Sequence, residues 1–372
     1  MTAKLTAKAL RHAATRGPPA VLESPQRMRA LRALALVAAA AAARRREKRA
    51  RTQRTEERDF YRNATALSTV TTIAAVVLSH NHEGTVRRIA DALDGEVDAI
   101  VIVEDGSTDN SYEVWREALR SHENAVIIQT PDVHEIRAYN RGAKAANADV
   151  FCFLQDDDVP NDHGWSRRIL SLMNTFRKQR LAVLSGLATE VCQSEWGETQ
   201  VEHPKQMKNP RVTRRIPYVY DGVPFAFATE AWLAPLCVRA DVWHDLGGFD
   251  ESLALRGEPG IGLDIHLSLR AGVLGYAIGV FGALFERGVG GHGTVSSPEK
   301  TKLRLRKRAE IGARIRGVAG CRWPPEMLAR ARSLNEELLS RRPGADEARR
   351  EAEQKCARFR KHPCLGPVSV ER

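Results

Sequence analysis

The sequence predicts an α/β protein built on a mainly parallel β-sheet flanked by helices. Two features of residues 70–154 predict this class. Short apolar runs rich in Val and Ile alternate with amphipathic segments of helical periodicity, which is typical of βαβ units. Acidic or polar residues follow directly after most of these runs, as they do where parallel strands end at a ligand-binding edge.

The first half of the chain carries the clearest pattern. Each run is apolar throughout rather than alternating, so we expect both faces of these strands to be covered. Strands are predicted at 70–78, 98–103, 125–129 and 149–154, with helices at 83–93, 108–121 and 135–146, the second helix being capped by Ser107 or Thr108.

The second half is less regular. Polar residues with several Pro and Gly fill 188–224, which predicts an insertion or a long loop. Around it the pattern indicates a helix at 162–179, a strand at 181–187, a short helix near 240–246, a turn at 247–251, a helix at about 263–271, a strand at 276–281 and a charged helical stretch after 298.

Charge divides the chain into three parts. Residues 1–62 carry 16 Lys/Arg against 5 Asp/Glu and residues 299–372 carry 20 against 10, whereas residues 63–298 carry 21 against 31. An acidic body repels a phosphate backbone, which argues against specific nucleic acid binding by that part. We therefore expect a basic leader at 1–65, a globular domain at 66–298 with halves at 66–158 and 159–298, and a basic helical tail at 299–372.

The leader is unusual in composition. The first 50 residues hold 16 Ala and 12 Lys/Arg with two acids, and an 11-residue apolar stretch lies at 33–43. This resembles an organelle transit peptide, with a weak signal anchor or a solvated basic tail as alternatives. An organelle or Golgi and membrane-associated location is thus favoured over the cytoplasm. The basic run at 300–308 is interpreted as a solvated helix face, with peripheral contact to anionic lipid or to an acidic acceptor as the alternative. The oligomeric state is not predicted.

Two acidic clusters follow directly after predicted strands. Glu104 and Asp105 end one strand, and Asp156, Asp157 and Asp158 end another. Because carboxyl ends of parallel strands share one edge of a sheet, we expect both clusters to face one crevice. Carboxylates gathered there need a compensating positive charge, and a hard divalent cation such as Mn²⁺ or Mg²⁺ prefers such oxygen ligands.

Four motifs then occur in order: VIVEDGSTD at 101–109, NRG at 140–142, FLQDDD at 153–158 and GGFDE at 247–251. Together, over about residues 70–290, they resemble the inverting glycosyltransferases of family 2, which have the GT-A (Rossmann-like) fold. The resemblance implies an enzyme that moves a sugar from a nucleotide-diphosphate donor to a hydroxyl acceptor, which would be a glycan, a lipid or a protein.

The resemblance also implies a role for each matching residue. Asp156 and Asp158 match the DxD pair that binds Mn²⁺ or Mg²⁺ through the donor diphosphate. Asp264 falls on the position of the catalytic base, in a LDIHLSLR segment where Leu263 and His266 replace the usual Glu and second Asp. The residues implied in nucleotide or substrate binding are Ser79, Asn81, Glu104, Asp105, Arg137, Asn140, Asp157 and Arg270.

Chemistry supports such a site. A metal ion stabilises charge on a leaving diphosphate, and a carboxylate within hydrogen-bond reach takes the proton of an attacking hydroxyl. One base and one metal suffice for a single displacement that inverts the anomeric centre, although residue types alone also fit a retaining mechanism.

Two further side chains have open interpretations. His292, in a Gly-rich segment, is either a third metal or diphosphate ligand or a His in a loop. Trp232 either stacks on a sugar or belongs to the core. His80 and His82 are interpreted as polar loop residues rather than ligands.

Two other functions remain as alternatives. A sugar-phosphate nucleotidyltransferase would also use a metal and a parallel sheet, but the segment at 79–84 lacks the basic residue that such enzymes usually carry in this loop. The other is an inactive binding protein whose basic tails bind nucleic acid.

Overall fold

A computed structural model describes the protein over residues 66–287, except 162, 188–190, 194–198, 202–218, 221–222, 234, 256–257 and 284, and over 302–303, 305–307, 310 and 325–340. These residues belong to one compact unit, Thr65–Arg372. The predicted leader lies outside the described residues.

Thirteen strands and seven α-helices are described. The strands are β1 Ile73–Ser79, β2 Ala99–Asp105, β3 Ala125–Thr130, β4 Val150–Gln155, β5 Asp158–Pro160, β6 Leu181–Leu187, β7 Val191–Gln193, β8 Thr199–Val201, β9 Val219–Tyr220, β10 Val223–Ala228, β11 Leu236–Arg239, β12 Ala277–Gly282 and β13 Phe285–Arg287. The helices are α1 Glu83–Leu93, α2 Ser111–Ala118, α3 His134–Ala145, α4 Trp165–Thr175, α5 Ala240–Leu246, α6 Leu263–Val273 and α7 Pro325–Ser340.

The main sheet has the described strand order β3-β2-β1-β4-β11-β6-β12-β10-β9. Strands β1 to β4 are parallel, as predicted, and β11 runs antiparallel to both β4 and β6. Strand β6 therefore points the same way as β4, and β12 is parallel to β6. The sheet is mixed and mainly parallel, and helices cover both faces.

Each face of the sheet carries its own apolar core. On one face, α3, α5 and α6 pack through buried residues such as Tyr139, Trp243 and Leu267. On the other, α1, α2 and α4 pack through residues such as Ile89, Trp115 and Ile169. Strand β1 is buried along its whole length, because both of its faces are covered, as its apolar run predicts.

The close approach of α3 to the sheet explains the glycine of the NRG motif. A Cβ atom at Gly142 would lie 2.5 Å from Cγ1 of Val76 and 2.8 Å from Cγ2 of Val103. These distances are far inside van der Waals contact, so only glycine lets the helix sit at this depth.

Several predicted boundaries are wrong. The predicted helix at 108–121 is shorter, because Asp109 accepts a hydrogen bond from the backbone N–H of Ser111 and Asn110 takes the N-cap position. The helix predicted at 162–179 begins only after Gly164, whose φ of 78° is left-handed. Strands β10 and β11 were not predicted. The predicted long loop holds the short strands β7, β8 and β9 and the start of β10, and its remaining residues lie outside the described part.

The C-terminal helix α7 packs on the sheet. Asn335 is fully buried, and its side chain donates to the carbonyl oxygen of Phe227 and accepts from the Phe227 N–H, both at 2.8–2.9 Å. Arg330 donates to the carbonyl oxygens of Gly275 and Gln179. Over residues 325–340 the predicted tail is thus part of the folded unit.

Part of the basic run at 300–308 also contacts the folded unit. The ammonium of Lys307 is buried, donates to the carbonyl oxygen of Leu253 at 2.5 Å and lies 3.6 Å from a carboxylate oxygen of Glu258. Lys302, Leu305 and Arg306 are exposed. Lys307 therefore serves an internal contact rather than a surface one. Within the described residues, no helix has the length and apolar character needed to cross a bilayer.

Candidate active site

The acidic triplet lies in the turn between β4 and β5. Asp156 and Asp158 are buried, with 8% and 1% of their surfaces exposed, and Asp157 is half-buried. One Asp156 oxygen accepts a hydrogen bond from the backbone N–H of His80 at 2.6 Å. The side chain of His80 in turn contacts the backbone oxygen of Asp105 at 2.8 Å. His80 therefore connects the ends of β1, β2 and β4.

His82 is the partner that the sequence did not assign to this cluster. Its Nδ1 lies 3.0 Å from the second oxygen of Asp156. This contact with the Asp156 carboxylate raises the pKa of His82, and it outweighs the opposite effect of partial burial. The charges of Asp157 and Asp109 act in the same direction. The alternation of His80 and His82 just after a strand was the available signal, since both then face the strand end.

Negative charge is concentrated at the end of β4. The hydroxyl of Tyr139 is buried and donates to the carbonyl oxygen of Leu154 at 2.9 Å. Burial raises the pKa of Tyr139 well above its usual value, and the charges of Asp158 and Glu135, followed by those of Asp156 and Asp157, add to this effect.

The donor set at this turn fits a hard divalent cation in part. Asp156 and Asp158 supply buried carboxylate oxygens, and a carboxylate has about four lone-pair positions, so the contacts to His80 and His82 leave room on Asp156. Within the described ranges, no group of three or more His, Cys, Asp or Glu side chains could hold a metal ion. Two carboxylates completed by substrate phosphate oxygens are a common arrangement for Mg²⁺.

Asp105 is fully engaged with the loop that follows β3. Its carboxylate accepts from the hydroxyl of Thr130 at 2.5 Å, from the backbone N–H of Val133 at 2.7 Å and from that of His134 at 2.8 Å. It is 3% exposed. Its predicted contact with a base or ribose stays a prediction, and what the structure adds is that Asp105 fixes the start of α3. Neighbouring Glu104, also buried, accepts from the Ser107 N–H at 2.7 Å.

Asn81 organises the loop of the EDGSTD motif. Its side-chain oxygen accepts from the backbone N–H of Thr108 at 2.7 Å and from that of Asp109 at 3.3 Å. Asn81 has a left-handed φ of 55° and is exposed. Its predicted nucleotide contact stays a prediction, and what the structure adds is that Asn81 holds the loop at 107–109.

Ser79 corrects the prediction for the end of β1. It is completely buried, and its hydroxyl oxygen accepts a hydrogen bond from the indole N–H of Trp115 at 2.9 Å. A side chain without exposed surface cannot line a nucleotide pocket. Ser79 is a core residue that gives a polar partner to a buried tryptophan.

Arg137 and Asn140 connect α3 to the GGFDE turn. Asn140 donates to the carbonyl oxygen of Phe249 at 2.9 Å and accepts from the Phe249 N–H at 2.9 Å, while Nε of Arg137 lies 3.5 Å from Glu251. A Cβ atom at Gly248 would lie 2.8 Å from the Asn140 side-chain oxygen. The predicted closeness of both side chains to phosphates stays a prediction, and their observed contacts join the two halves of the domain.

Asp264 lies in the first turn of α6. One of its carboxylate oxygens accepts from the backbone N–H of Leu233 at 3.0 Å and the other from that of Ile265 at 2.7 Å. Helix α6 leads through residues 274–276 into β12, which points the same way as β4. The helix therefore runs in the opposite direction, and its first turn returns to the edge that carries the acidic triplet.

The segment before β11 lies at the same edge of the sheet as the residues that follow β4. Leu236 is paired with Phe153 in an antiparallel register, so Leu233 lies just beyond the paired residues, level with the residues that follow β4. Asp264 is bonded to Leu233, and Asp156 follows β4. This register supports one crevice for both carboxylates.

Trp232 is half-buried beside the same segment. Its indole N–H donates to a carboxylate oxygen of Glu230 at 2.8 Å, and its backbone oxygen accepts from the Ser185 hydroxyl at 2.8 Å. Its side chain packs against the apolar core, as the alternative interpretation has it, yet part of it stays exposed. Sugar stacking by Trp232 stays a prediction.

Two residues of the α6 segment hold the turn after α5. Arg270 donates to the carbonyl oxygens of Gly248 and Leu246, and burial lowers its pKa. His266 is buried, with Nε2 3.8 Å from Asp250. Burial acts to raise the pKa of Asp250, but hydrogen bonds from Ser252 and the charges of His266 and Arg270 outweigh it and lower that pKa. Substrate binding by Arg270 stays a prediction. His292 lies outside the described residues.

The mixed, mainly parallel sheet with helices on both faces has the GT-A, Rossmann-like architecture that the sequence predicts. Residues 75–232 match the family described as glycosyl transferase family 2. Over these residues, about two fifths of the chain, the protein carries a family 2 domain, and the protein is a glycosyltransferase. The match includes the acidic triplet, whereas Asp264 and Arg270 lie beyond it.

The solved structures that match this chain include the mannosyltransferase PcManGT from Pyrobaculum calidifontis in complex with GDP-Man and Mn²⁺ (14% identity, 82% of each chain covered, TM-score 0.45). TarS of S. aureus with UDP has 15% identity, 72% and 69% coverage of this chain and that chain, and a TM-score of 0.40. Glucosyl-3-phosphoglycerate synthase from Mycobacterium tuberculosis has 14% identity, 64% and 79% coverage, and a TM-score of 0.39. No curated protein matches this sequence.

Proposed function

We propose that this glycosyltransferase is metal-dependent and inverting, and that it uses Asp264 as the single base that deprotonates a hydroxyl acceptor. The observation that carries the proposal is the return of the α6 first turn to the edge that holds Asp156 and Asp158. One carboxylate near the acceptor and a separate acidic pair near the diphosphate are the two components that a single displacement requires.

The acidic pair would hold the ion. Asp156 and Asp158 offer buried carboxylates, and a bound Mn²⁺ or Mg²⁺ would supply electrostatic stabilisation of the departing nucleoside diphosphate. His80 and His82 orient Asp156 through its two oxygens. Asn81 and the loop at 107–109 form the rim where the nucleotide would lie, since Asn81 holds the backbone of Thr108 and Asp109.

Asp264 would take the proton of the acceptor hydroxyl. Two of its partners are backbone N–H groups, which stabilise the ionised form that a base needs. Leu233 N–H fixes the carboxylate next to Trp232, whose half-exposed indole would form one wall of the acceptor site. The family match favours glycosyl transfer over nucleotidyl transfer.

Donor binding tests the metal part of this proposal. A panel of nucleoside diphosphate sugars is titrated into the full chain with and without Mn²⁺, with melting temperature and calorimetric affinity as readouts. We expect at least one donor whose affinity rises about tenfold or more with Mn²⁺, and we expect Asp158→Asn to remove that gain. Asp94→Asn, at the exposed end of α1, is the matched control and should bind as the wild type does. A donor that binds equally with and without Mn²⁺ would contradict metal dependence.

A further inference from the structure

Two thiols lie close together in the centre of the sheet. The Sγ atoms of Cys152 on β4 and Cys237 on β11 are 3.0 Å apart, and both side chains are completely buried. Non-bonded carbon-sized atoms normally pack at about 3.5–4.0 Å, and sulfur is larger than carbon. The two sulfur atoms are therefore closer than ordinary packing places them.

The backbone of the two strands already has the spacing that a disulfide needs. Cys152 and Cys237 are directly opposite each other in the antiparallel ladder. Opposite residues in such a ladder have Cα atoms about 4.5 or 5.5 Å apart, and both values lie within the range of about 4.4–6.8 Å found across disulfides. Bond formation thus requires the sulfur atoms to close from 3.0 Å to about 2.05 Å with little backbone movement.

We propose that Cys152 and Cys237 are a site of disulfide formation, and that the oxidant is a small-molecule disulfide such as oxidised glutathione. One protein thiolate attacks the glutathione disulfide and releases a glutathione thiolate, which takes up a proton. The second protein thiolate then attacks the protein sulfur of the mixed disulfide and releases the second glutathione. Two protein thiols are oxidised, and one glutathione disulfide is reduced to two thiols. The two protons that the protein thiols lose end on the two glutathione thiols.

Burial decides when this reaction takes place. Complete burial raises the pKa of the Cys152 thiol, so little of the reactive thiolate exists in the folded protein. Buried sulfur is also inaccessible to glutathione. The bond therefore forms during folding, before the paired strands β4 and β11 are buried. The folded reduced protein resists oxidation. Once it is formed, the bond is shielded from reductants in the same way.

The bond would join two segments of the proposed catalytic edge. Strand β4 continues into Asp156, and β11 follows the segment whose Leu233 N–H binds Asp264. The two cysteines are 85 positions apart in the chain. A bond that closes so long a loop restricts the unfolded chain strongly and raises the melting temperature. This inference does not depend on the proposed base or metal.

Refolding in a glutathione buffer tests the inference. The full chain is prepared with the other four cysteines (Cys192, Cys321, Cys356 and Cys364) replaced by Ser, is reduced and unfolded, and is refolded with reduced and oxidised glutathione. Free thiols are then alkylated in denaturant, so that buried thiols also react, and the intact mass is measured. We expect a product that has lost two hydrogens and carries no alkyl group, with a melting temperature roughly 5–10 °C above that of the reduced protein. The same variant with Cys237→Ala is the matched control and should keep its single thiol.

A second measurement covers a failure of the substituted chain to fold. The wild-type chain is refolded in the same buffer and digested without reductant, and a cross-linked peptide that joins Cys152 to Cys237 is expected. Two alkylated thiols in the refolded protein, or a wild-type digest in which both cysteines are alkylated, would overturn the inference. Rapid oxidation of the already folded, reduced protein would overturn the folding-coupled route.

Discussion

The indole N–H of Trp115 donates a hydrogen bond to the hydroxyl oxygen of Ser79 at 2.9 Å, and both residues are fully buried. The contact joins α2 to the end of β1, directly below the loop that carries Asn81. It defines Ser79 as a structural residue, although its place at the end of a strand suggested a nucleotide contact.

Ser79→Ala should therefore reduce stability and leave donor affinity unchanged. The substitution leaves the buried Trp115 N–H without its partner, which costs about 1–3 kcal/mol. Urea denaturation measures the loss, and donor titration measures the affinity. Ser107→Ala, at the crevice rim, is a control that should change stability less. A donor affinity that falls with unchanged stability would restore the nucleotide contact that the sequence suggested.

Asp149 makes the stability of the domain depend on pH in the acidic range. Its carboxylate accepts from the N–H and the hydroxyl of Thr71 and from the Thr72 N–H, at 2.6–3.1 Å. Burial acts to raise the pKa of Asp149, but these hydrogen bonds outweigh it and lower that pKa. The contribution of the ionised form is therefore present above the unfolded-state pKa of about 3.9 and is lost as the pH falls through the lower folded-state pKa.

Asp149→Asn should flatten this dependence. Between about pH 5 and pH 2, the wild type should lose about 0.5–1 kcal/mol more stability than the variant, because the carboxylate is only half-buried. Denaturant midpoints measured across this range give the comparison. Parallel pH curves for the two proteins would show that Asp149 does not carry the effect.

Asn335 should anchor α7 to the sheet. Because Asn335→Ala leaves the N–H and the carbonyl oxygen of Phe227 without partners, it should lower the free energy of unfolding by about 2–4 kcal/mol. Ser340→Ala, at the exposed end of the same helix, should cost little. Denaturant unfolding of the two variants tests whether the helix belongs to the cooperative unit, and equal midpoints would contradict its docking.

The sequence predicted the first half of the domain, residues 66–158, more fully than the rest. Strands buried on both faces give continuous apolar runs, so β1 to β4 were found with boundary errors of a few residues, and α1, β6 and α5 were found at their observed bounds. Strand β11 has four residues and runs antiparallel to both of its neighbours, and β10 runs antiparallel to β12, so no βαβ alternation marked them. Helix α7 was expected in a separate tail, because its docking depends on Asn335 meeting a sheet residue more than a hundred positions earlier in the chain.

The site was predictable in its location more than in its contacts. Acidic residues placed directly after strands indicated the edge, since that position follows from parallel topology alone. The bonds of Asp105 to the residues after β3, and of Asp156 to His82, depend on how separate loops meet in three dimensions. Periodicity holds no information on such contacts, which is why the contact of His82 with Asp156 was not predicted, although its place in a loop was.

The account depends most on Asp264 as the base. Asn at this position can still accept the hydrogen bond from the Leu233 N–H, so the fold and the donor site should be retained. Asp264→Asn should bind the identified donor with wild-type affinity in the presence of Mn²⁺, while donor hydrolysis or transfer falls about 10²–10⁴-fold. The direct measurement is single-turnover cleavage of that donor by wild type and Asp264→Asn under the same conditions. Near-equal rates would contradict the account, and a large loss of rate at unchanged donor affinity is the result that it predicts.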